Sequence, residues 1–298
     1  VKQGFEVIAI DNFDPYYDPE RKERNLTWLR TKNNFTFEEI DIRNFESLEK
    51  LFKKHNIEQI VHLAAKAGVR RSIEIPLAYQ SVNVEGTLNL LELSRINDIE
   101  RFIFGSSSSV YGDRSSEPFS ENDRTDKSVS PYAATKKAGE VLCYSYYHLY
   151  SLKMVCLRFF TVYGPRGRPD MAPFMFLDWI SKGQTLTMYG DGSTSRDYTF
   201  VSDIVTGIVA SLHAPLSYEI INLGRGEPIL LRDFIQTIEE VVERKANIKQ
   251  LPMNPGDVPH TLANIDKAKR LLDYHPRISV RDGMQEMYNW YQQEFNRY

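Results

Sequence analysis

The sequence is poor in cysteine. Cys143 and Cys156 are the only two in 298 residues, with no CxxC spacing and no histidine pattern beside them. That excludes a disulfide framework, speaks against a zinc site, and fits a reducing compartment. An excess of one charge is also lacking: 37 Lys and Arg face 40 Asp and Glu, a net of −3. Such a balance offers no broad basic field to nucleic acid or an acidic membrane. No run approaches the ~20 apolar residues of a membrane span, and no signal peptide is visible. What remains is ordinary globular composition, 42% hydrophobic and 26% charged, in a chain long enough for one large core or two smaller ones. These features predict no metal, no nucleic-acid partner, no membrane segment and a cytoplasmic location.

Along the first 160 residues, strand-like and helix-like stretches alternate. Strands are expected at Glu6–Ile10, Phe35–Glu39, Gln59–Leu63, Arg101–Gly105 and Met154–Phe160. Helices are expected at Arg21–Thr31, Ser47–His55, Asn83–Ile96 and Tyr132–Tyr150. Alternation of this kind predicts an α/β fold, a doubly wound parallel sheet of Rossmann type with helices on both faces. After residue 165, proline and glycine cluster in "GPRGRPDMAP" and "LPMNPGDVP", which marks irregular chain. Between them lie Phe174–Ser181, a "GDGS" turn and a helix around Leu231–Lys245, and a last helix at Val280–Phe295 closes the chain. The expected organisation is a dinucleotide-binding domain over 1–164 and a smaller substrate-binding lobe over 165–298, some of whose segments return to the first domain.

The sharpest constellation is "YAATK". Tyr132 and Lys136, at i and i+4, share one helix face. An ammonium beside a phenol favours the phenolate, so the pair predicts a tyrosine with a lowered pKa, able to exchange protons near neutrality. By spacing alone, two surface residues fit as well. Upstream, "FGSSSSVYG" puts Ser106 to Ser109 at a strand end, where open α/β sheets bind ligands. A serine hydroxyl there can both donate to and accept from a sugar hydroxyl; a polar turn is the other reading of each single serine.

Asp11, at the end of its strand, suits the ribose hydroxyls of a dinucleotide and repels a 2′-phosphate, which favours NAD over NADP; an Asx turn is the alternative. Asp41 and Ile42 follow the next strand and would bracket an adenine. In "HLAA", Leu63, Ala64 and Ala65 offer small or apolar surface to a dinucleotide, and His62 reads as a packed strand histidine. Asn83 opens the next helix, either as a cap or at the cofactor.

Taken together, "DNFDPYYD", "HLAAKAGVR", "SSSSVYG", "SPYAATKKAGE", "LRFFTVYGPRGRPDMAPF", "YGDGSTSRDYTFVSDI" and "PGDV" resemble the extended short-chain dehydrogenase/reductase family. Within it they are most similar to the NAD-dependent nucleotide-sugar 4-epimerases of the UDP-glucuronate group, over essentially the whole chain. The resemblance implies that Tyr132 is the base at the sugar 4-hydroxyl, that Lys136 holds the nicotinamide ribose, and that Ser107 bonds the 4-oxygen. It adds Asn12 and Phe159 to the NAD contacts. Ser108, Ser109 and Thr161 would hold the sugar carboxylate, because the 4-keto form of glucuronate is a β-keto acid prone to lose CO₂. Arg196 and Arg168 would meet the UDP diphosphate, for which a guanidinium fork is suited, and Asp257 would lie near the nucleotide ribose. A homodimer paired through the helices at Asn83–Ile96 and Tyr132–Tyr150 is implied as well.

Competing readings are a UDP-glucose/galactose 4-epimerase, a UDP-glucuronate decarboxylase, a 4,6-dehydratase, and a truncated inactive remnant. Relatives begin with a strand, GxxGxxG and a helix; here Val1–Gly4 resembles the tail of that helix, so roughly 20–25 residues of the usual unit are expected before it. This chain also departs from the pattern at Asn264, at Asp273 where Gly is common, and at Gly105 where the residue is usually larger.

Overall fold

The computed structural model describes all residues except 115, 254–257 and 296–298. In chain order the elements are β1 (Val7–Asp11), α1 (Pro19–Thr27), β2 (Phe35–Glu39), α2 (Phe45–Lys54), β3 (Gln59–His62), α3 (Val69–Glu74), α4 (Pro76–Gln80), α5 (Gly86–Ile96), β4 (Arg101–Ser107), α6 (Pro131–Tyr150), β5 (Lys153–Phe159) and β6 (Thr161–Tyr163). They continue as α7 (Ala172–Lys182), β7 (Thr185–Tyr189), β8 (Ser195–Phe200), α8 (Val201–His213), β9 (Tyr218–Leu223), β10 (Pro228–Leu230), α9 (Leu231–Val242), β11 (Asn247–Leu251), α10 (Asp266–Leu272) and α11 (Val280–Phe295).

The parallel strands form two sheets, β1–β2 and β3–β4–β5–β9. β4 lies between β3 and β5 and is buried along its whole length, which is why "RFIFGSS" lacks the alternation of a half-exposed strand. Two further sheets are a mixed one, β10–β8–β6, and a parallel pair, β11–β7. β9 comes from the second half of the chain yet pairs with β5 from Met154↔Tyr218 to Phe159↔Leu223. Three clusters of buried apolar side chains make up the core: one around Phe102, Phe104 and Leu91, one joining Ile103 and Val155 to Ile221 and Tyr274, and one around Phe234, Tyr198 and Met284. The two halves are strapped together: Arg24 of α1 pairs with Glu294 of α11 at 2.6 Å, and Arg21 stacks on Phe174 of α7 at 4.5 Å.

α6 carries the proposed base. Ser130 caps it by accepting from the Ala133 N–H, Pro131 occupies its first turn, and Ser151 ends it in a left-handed conformation. Gly139 lets α6 lie close on β4, since a Cβ there would stand 2.3 Å from Phe104 Cζ. Two departures noted in the sequence have local explanations. Asp273 ends α10 at φ +51°, the conformation for which glycine is the usual residue. At Gly105 a Cβ would stand 2.9 Å from Leu63 Cδ2 and 3.2 Å from Phe159 Cε2, so packing against those residues favours the absence of a side chain.

The elements expected from the sequence lie within a few residues of observed ones, whereas α3, α4, α8, α10 and the strands β6 to β11 carry no expectation. The helix expected from Asn83 instead begins with a π-helical turn, Ser81–Glu85, before α5 proper. The helix expected at Arg21–Thr31 is α1 followed by a 3₁₀ turn at Leu29–Thr31. Among the described residues no helix is long and apolar enough to cross a membrane, and no cluster of His, Cys, Asp and Glu could hold a metal ion.

Candidate active site

A cleft of about 210 Å³ opens along the ends of β1, β2 and β3. Its walls bring together Asp11, Asn12, Asp41, Ile42, Leu63, Ala64 and Ala65, all expected at a dinucleotide, and Arg168 from the second lobe. Asp11 ends β1; its Oδ1 accepts both the Phe13 N–H at 2.7 Å and the Lys22 ammonium at 2.8 Å. Asp11 therefore does form the Asx turn, and Oδ2 keeps no donor within the described protein. Asn12 donates to Asp41 Oδ2 at 2.9 Å, tying the two carboxylates' loops together. Hydrogen bonds from the Arg43 side chain hold Asp41 well below the usual carboxylate range.

Lys22 and Lys66 line the same cleft and were missed by the sequence reading. Lys66 pairs with Asp14 at 2.8 Å. Lys22 offsets the repulsion toward a 2′-phosphate that Asp11 alone would exert. Asn83 is buried and caps no helix. Its amide accepts from the Lys66 N–H at 2.8 Å and donates to the Lys66 carbonyl at 2.9 Å and Thr135 Oγ1 at 3.0 Å. It thus staples the cleft loop to the helix of Tyr132 and Lys136; π-turns often sit at such positions.

The catalytic candidates meet at the end of β4. Ser107 stands beside the Tyr132 phenol and favours its ionised form; its Oγ accepts from the Ser109 N–H at 3.2 Å and donates to Ser109 Oγ at 3.1 Å. Tyr79, whose hydroxyl donates to the Ala67 carbonyl, meets Tyr132 edge-on with ring centres 6.2 Å apart. Lys136 is buried; its ammonium donates to the Gly105 carbonyl at 2.6 Å and lies over the Phe104 ring at 5.1 Å. The other two ammonium hydrogens have no acceptor among the described residues.

The electrostatics differ from the sequence expectation. Burial raises the Tyr132 pKa; the Ser107 hydrogen bond and the Arg168 charge pull it back only in part. The Lys136 ammonium spends its hydrogen bond on the Gly105 carbonyl, not on the phenol. Burial drives Lys136 itself down to about 8.

Of the substrate candidates, Ser108 and Ser109 open a 3₁₀ turn running to Tyr111, and Thr161 begins β6. Phe159 ends β5 beside Gly105. Arg168 forms two hydrogen bonds to Asp170, at 3.0 and 2.6 Å, and the Tyr16 hydroxyl donates to Asp170 at 2.8 Å. Tyr16 follows β1, so this contact joins the cofactor side to the second lobe. Arg196 turns one nitrogen to the Ser195 and Pro259 carbonyls at 2.8 and 3.0 Å. Asp257 lies outside the described residues.

His62 is packed as expected, 4% exposed, between Thr87 Oγ1 at 2.9 Å and the rings of Phe102 and Phe104. Burial, with the Lys136 charge behind it, depresses its pKa to about 3. Between pH 6.5 and 3 the unfolded chain takes up a proton that the folded one refuses. Stability is therefore lost as pH falls, by on the order of 4 kcal/mol from this group. Urea midpoints of the protein and of His62→Gln should diverge across that window; parallel curves would refute the assignment.

A carboxylate with an oxygen free of protein donors, two alanines at the cleft wall and a buried ammonium with spare hydrogens fit a dinucleotide. Comparisons agree with that shape and chemistry. Residues 1–287 match the family model described as GDP-mannose 4,6 dehydratase. A UDP-glucuronate 4-epimerase of Thermodesulfobacterium geofontis is 44% identical over 291 residues, 97% of this chain and 90% of that protein. A crystal structure of UDP-glucuronic acid 4-epimerase from Bacillus cereus, in complex with UDP-glucuronic acid and NAD, superposes with a TM-score of 0.92. It is 35% identical, over 98% of this chain and 93% of that one. A UDP-glucose 4-epimerase from Thermotoga maritima, solved with UDP-glucose, gives a TM-score of 0.91 at 28% identity, over 98% of this chain and 93% of that one.

Proposed function

The chain belongs to the GDP-mannose 4,6-dehydratase family of short-chain dehydrogenase/reductase-type enzymes, and from that premise we propose that it is an NAD-dependent isomerase interconverting UDP-glucuronate and UDP-galacturonate. The observation that carries this reading is the convergence of Tyr132, Ser107 and Lys136 at the end of β4. NAD supplies a reversible hydride acceptor for the sugar C4. Asp11, Asn12, Asp41, Ile42, Leu63, Ala64, Ala65 and Phe159 hold it, with Lys136 at the nicotinamide ribose and Asn83 fixing the loop beside it. Tyr132 takes the proton from the 4-hydroxyl and returns it once the sugar has presented its other face. Ser107 bonds the 4-oxygen throughout, donating as charge gathers there. Ser108, Ser109 and Thr161 hold the sugar carboxylate through neutral hydrogen bonds, and Arg168, Arg196 and Asp257 take the UDP portion. A guanidinium already paired with Asp170 presents less net charge to substrate, which suits Arg168 to orientation more than to raw attraction.

Incubation with UDP-glucuronate should yield UDP-galacturonate with no CO₂. CO₂ as the main product would make the protein a decarboxylase, and turnover of UDP-glucose alone would move the substrate assignment.

The enzyme acts as a homodimer in this reading. α5 and α6 expose Ile96, Val141, Tyr144 and Leu149, the last 66% exposed. In the aromatic run of α6, Tyr147 stacks on Tyr218 of β9 and Tyr144 meets the same ring edge-on at 5.2 Å, leaving Tyr144 half exposed. Light scattering should give a two-chain mass, and Val141→Glu with Leu149→Glu a single-chain mass. A monomer without substitution would remove this part of the proposal.

A further inference from the structure

One buried charged group has no part in the chemistry above. Ser106, Arg158 and Asn222 stand side by side on β4, β5 and β9, in register, at 3%, 1% and 0% exposure. Glu140, one turn beyond Lys136 on α6, covers this row. Its Oε1 accepts from Ser106 Oγ at 2.7 Å and Arg158 Nε at 2.8 Å; its Oε2 accepts from Arg158 Nη2 at 2.9 Å and, at 3.2 Å, from the half-exposed Lys137. The Tyr111 ring lies against the Arg158 guanidinium at 4.7 Å, and its hydroxyl donates to Asn222 at 2.7 Å. Tyr111 closes the 3₁₀ turn that begins with Ser108 and Ser109.

The consequence is geometric. Three successive turns of α6 engage three consecutive residues of β4: Tyr132 meets Ser107, Lys136 meets Gly105, and Glu140 meets Ser106. Arg158 then links Glu140 to the far end of the serine turn. Stability alone is a weak reason for such a pair, because a well-packed apolar pair of similar volume is often as stable. Moreover, Arg158 Nη1 is buried with no partner, a cost an apolar residue would not carry.

We propose that Glu140 and Arg158 are positioning residues: Glu140 sets the Tyr132 helix against Ser107, and Arg158, through Tyr111, sets the Ser108–Ser109 turn against the sugar carboxylate. The second half rests on the UDP-glucuronate reading above. The turn keeps the C5–C6 bond of the 4-keto sugar out of line with the carbonyl π system. If the turn shifts, that bond can break, CO₂ leaves, and its electron pair passes through C5 to the 4-oxygen as an enolate, which is then protonated at C5.

The test compares Glu140→Gln, Tyr111→Phe and Tyr111→Leu with the unsubstituted protein. Glu140→Gln should lower kcat about 10–100-fold with KM within about threefold, the scale of a misplaced reacting group. Tyr111→Phe keeps a ring on Arg158 and should release no more CO₂ than the unsubstituted protein. Tyr111→Leu should raise the CO₂ fraction severalfold. Equal CO₂ fractions for the two Tyr111 variants and the unsubstituted protein, or a Glu140→Gln kcat within twofold, would overturn the proposal; should Glu140→Gln not fold, the Tyr111 pair decides. A substrate-independent arm separates the two readings. Tyrosinate absorption, taken as the difference from Tyr132→Phe, should titrate at higher pH in Glu140→Gln, because the Ser107 bond is disturbed. An unshifted curve refutes positioning even if the substrate proves to be another sugar nucleotide. Failure of the unsubstituted protein on UDP-glucuronate, with the curve shifted, sinks only the substrate assignment and with it the role in CO₂ retention.

Discussion

Tyr132→Phe should lower kcat by about 10²–10⁴-fold, the usual contribution of a positioned general base, while UDP affinity measured by calorimetry stays within about threefold. The ring is held by its edge contact with Tyr79 and by α6, whose cap and first turn do not involve the hydroxyl. Removing the oxygen therefore deletes a proton-transfer site and the bond to Ser107, and little else. The loss should appear in kcat, because the interaction belongs to the reacting 4-oxygen and not to the diphosphate. A variant that turns over within tenfold of the unsubstituted enzyme would remove Tyr132 from the role of base. The pH profile adds a second check. Burial raises the phenol's pKa, with Ser107 and Arg168 offsetting part of the rise, so kcat of the unsubstituted enzyme should climb toward alkaline pH.

Lys136→Met should separate activity from stability. Lys136 is 6% exposed, its ammonium makes one hydrogen bond among the described residues, and burial depresses it to about 8. Below pH 8 both the folded and unfolded chains carry the charge, and the folded chain bears the full cost of burying it. Between pH 8 and the unfolded value of 10.5 the folded chain sheds a proton that the unfolded chain keeps, so stability rises with pH by on the order of 3 kcal/mol. Methionine has a similar stem and no charge. The variant should melt higher at pH 7, show a flatter stability profile from pH 8 to 10.5, and lose about 10²-fold in kcat. It should also release NAD more readily on gel filtration. A variant that melts lower at pH 7 and retains activity would overturn both the burial cost and the functional assignment.

The relation between residues and site explains what could be read early. YxxxK is visible because helical spacing puts i and i+4 on one face whatever the rest of the fold does. α11 spans the expected Val280–Phe295, and its buried residues Val280, Gly283, Met284, Met287 and Tyr291 repeat along one face. A shared face does not say which group the ammonium reaches, and burial raises the Tyr132 pKa where the spacing alone predicts a lowered one. The ammonium reaches the Gly105 carbonyl, 31 residues earlier in the chain.

By itself the sequence determined the alternating α/β order, the carboxylate of Asp11 at a strand end, the serine run after β4 and the Tyr132–Lys136 spacing. Each is a local pattern set by backbone periodicity or by a strand terminus. The tertiary structure alone decided that β9 lies beside β5, that Lys22 shares Oδ1 of Asp11, that Tyr16 reaches Asp170 across 154 residues, and that Glu140 covers Arg158 and Ser106. β9 beside β5 and Tyr16 on Asp170 join segments far apart in the chain, while the Lys22 pair bridges a strand end and a helix start, and Glu140 bridges neighbouring elements. No repeat or spacing marks them, because each arises only when separately formed elements are pressed together and their polar groups must find partners away from water.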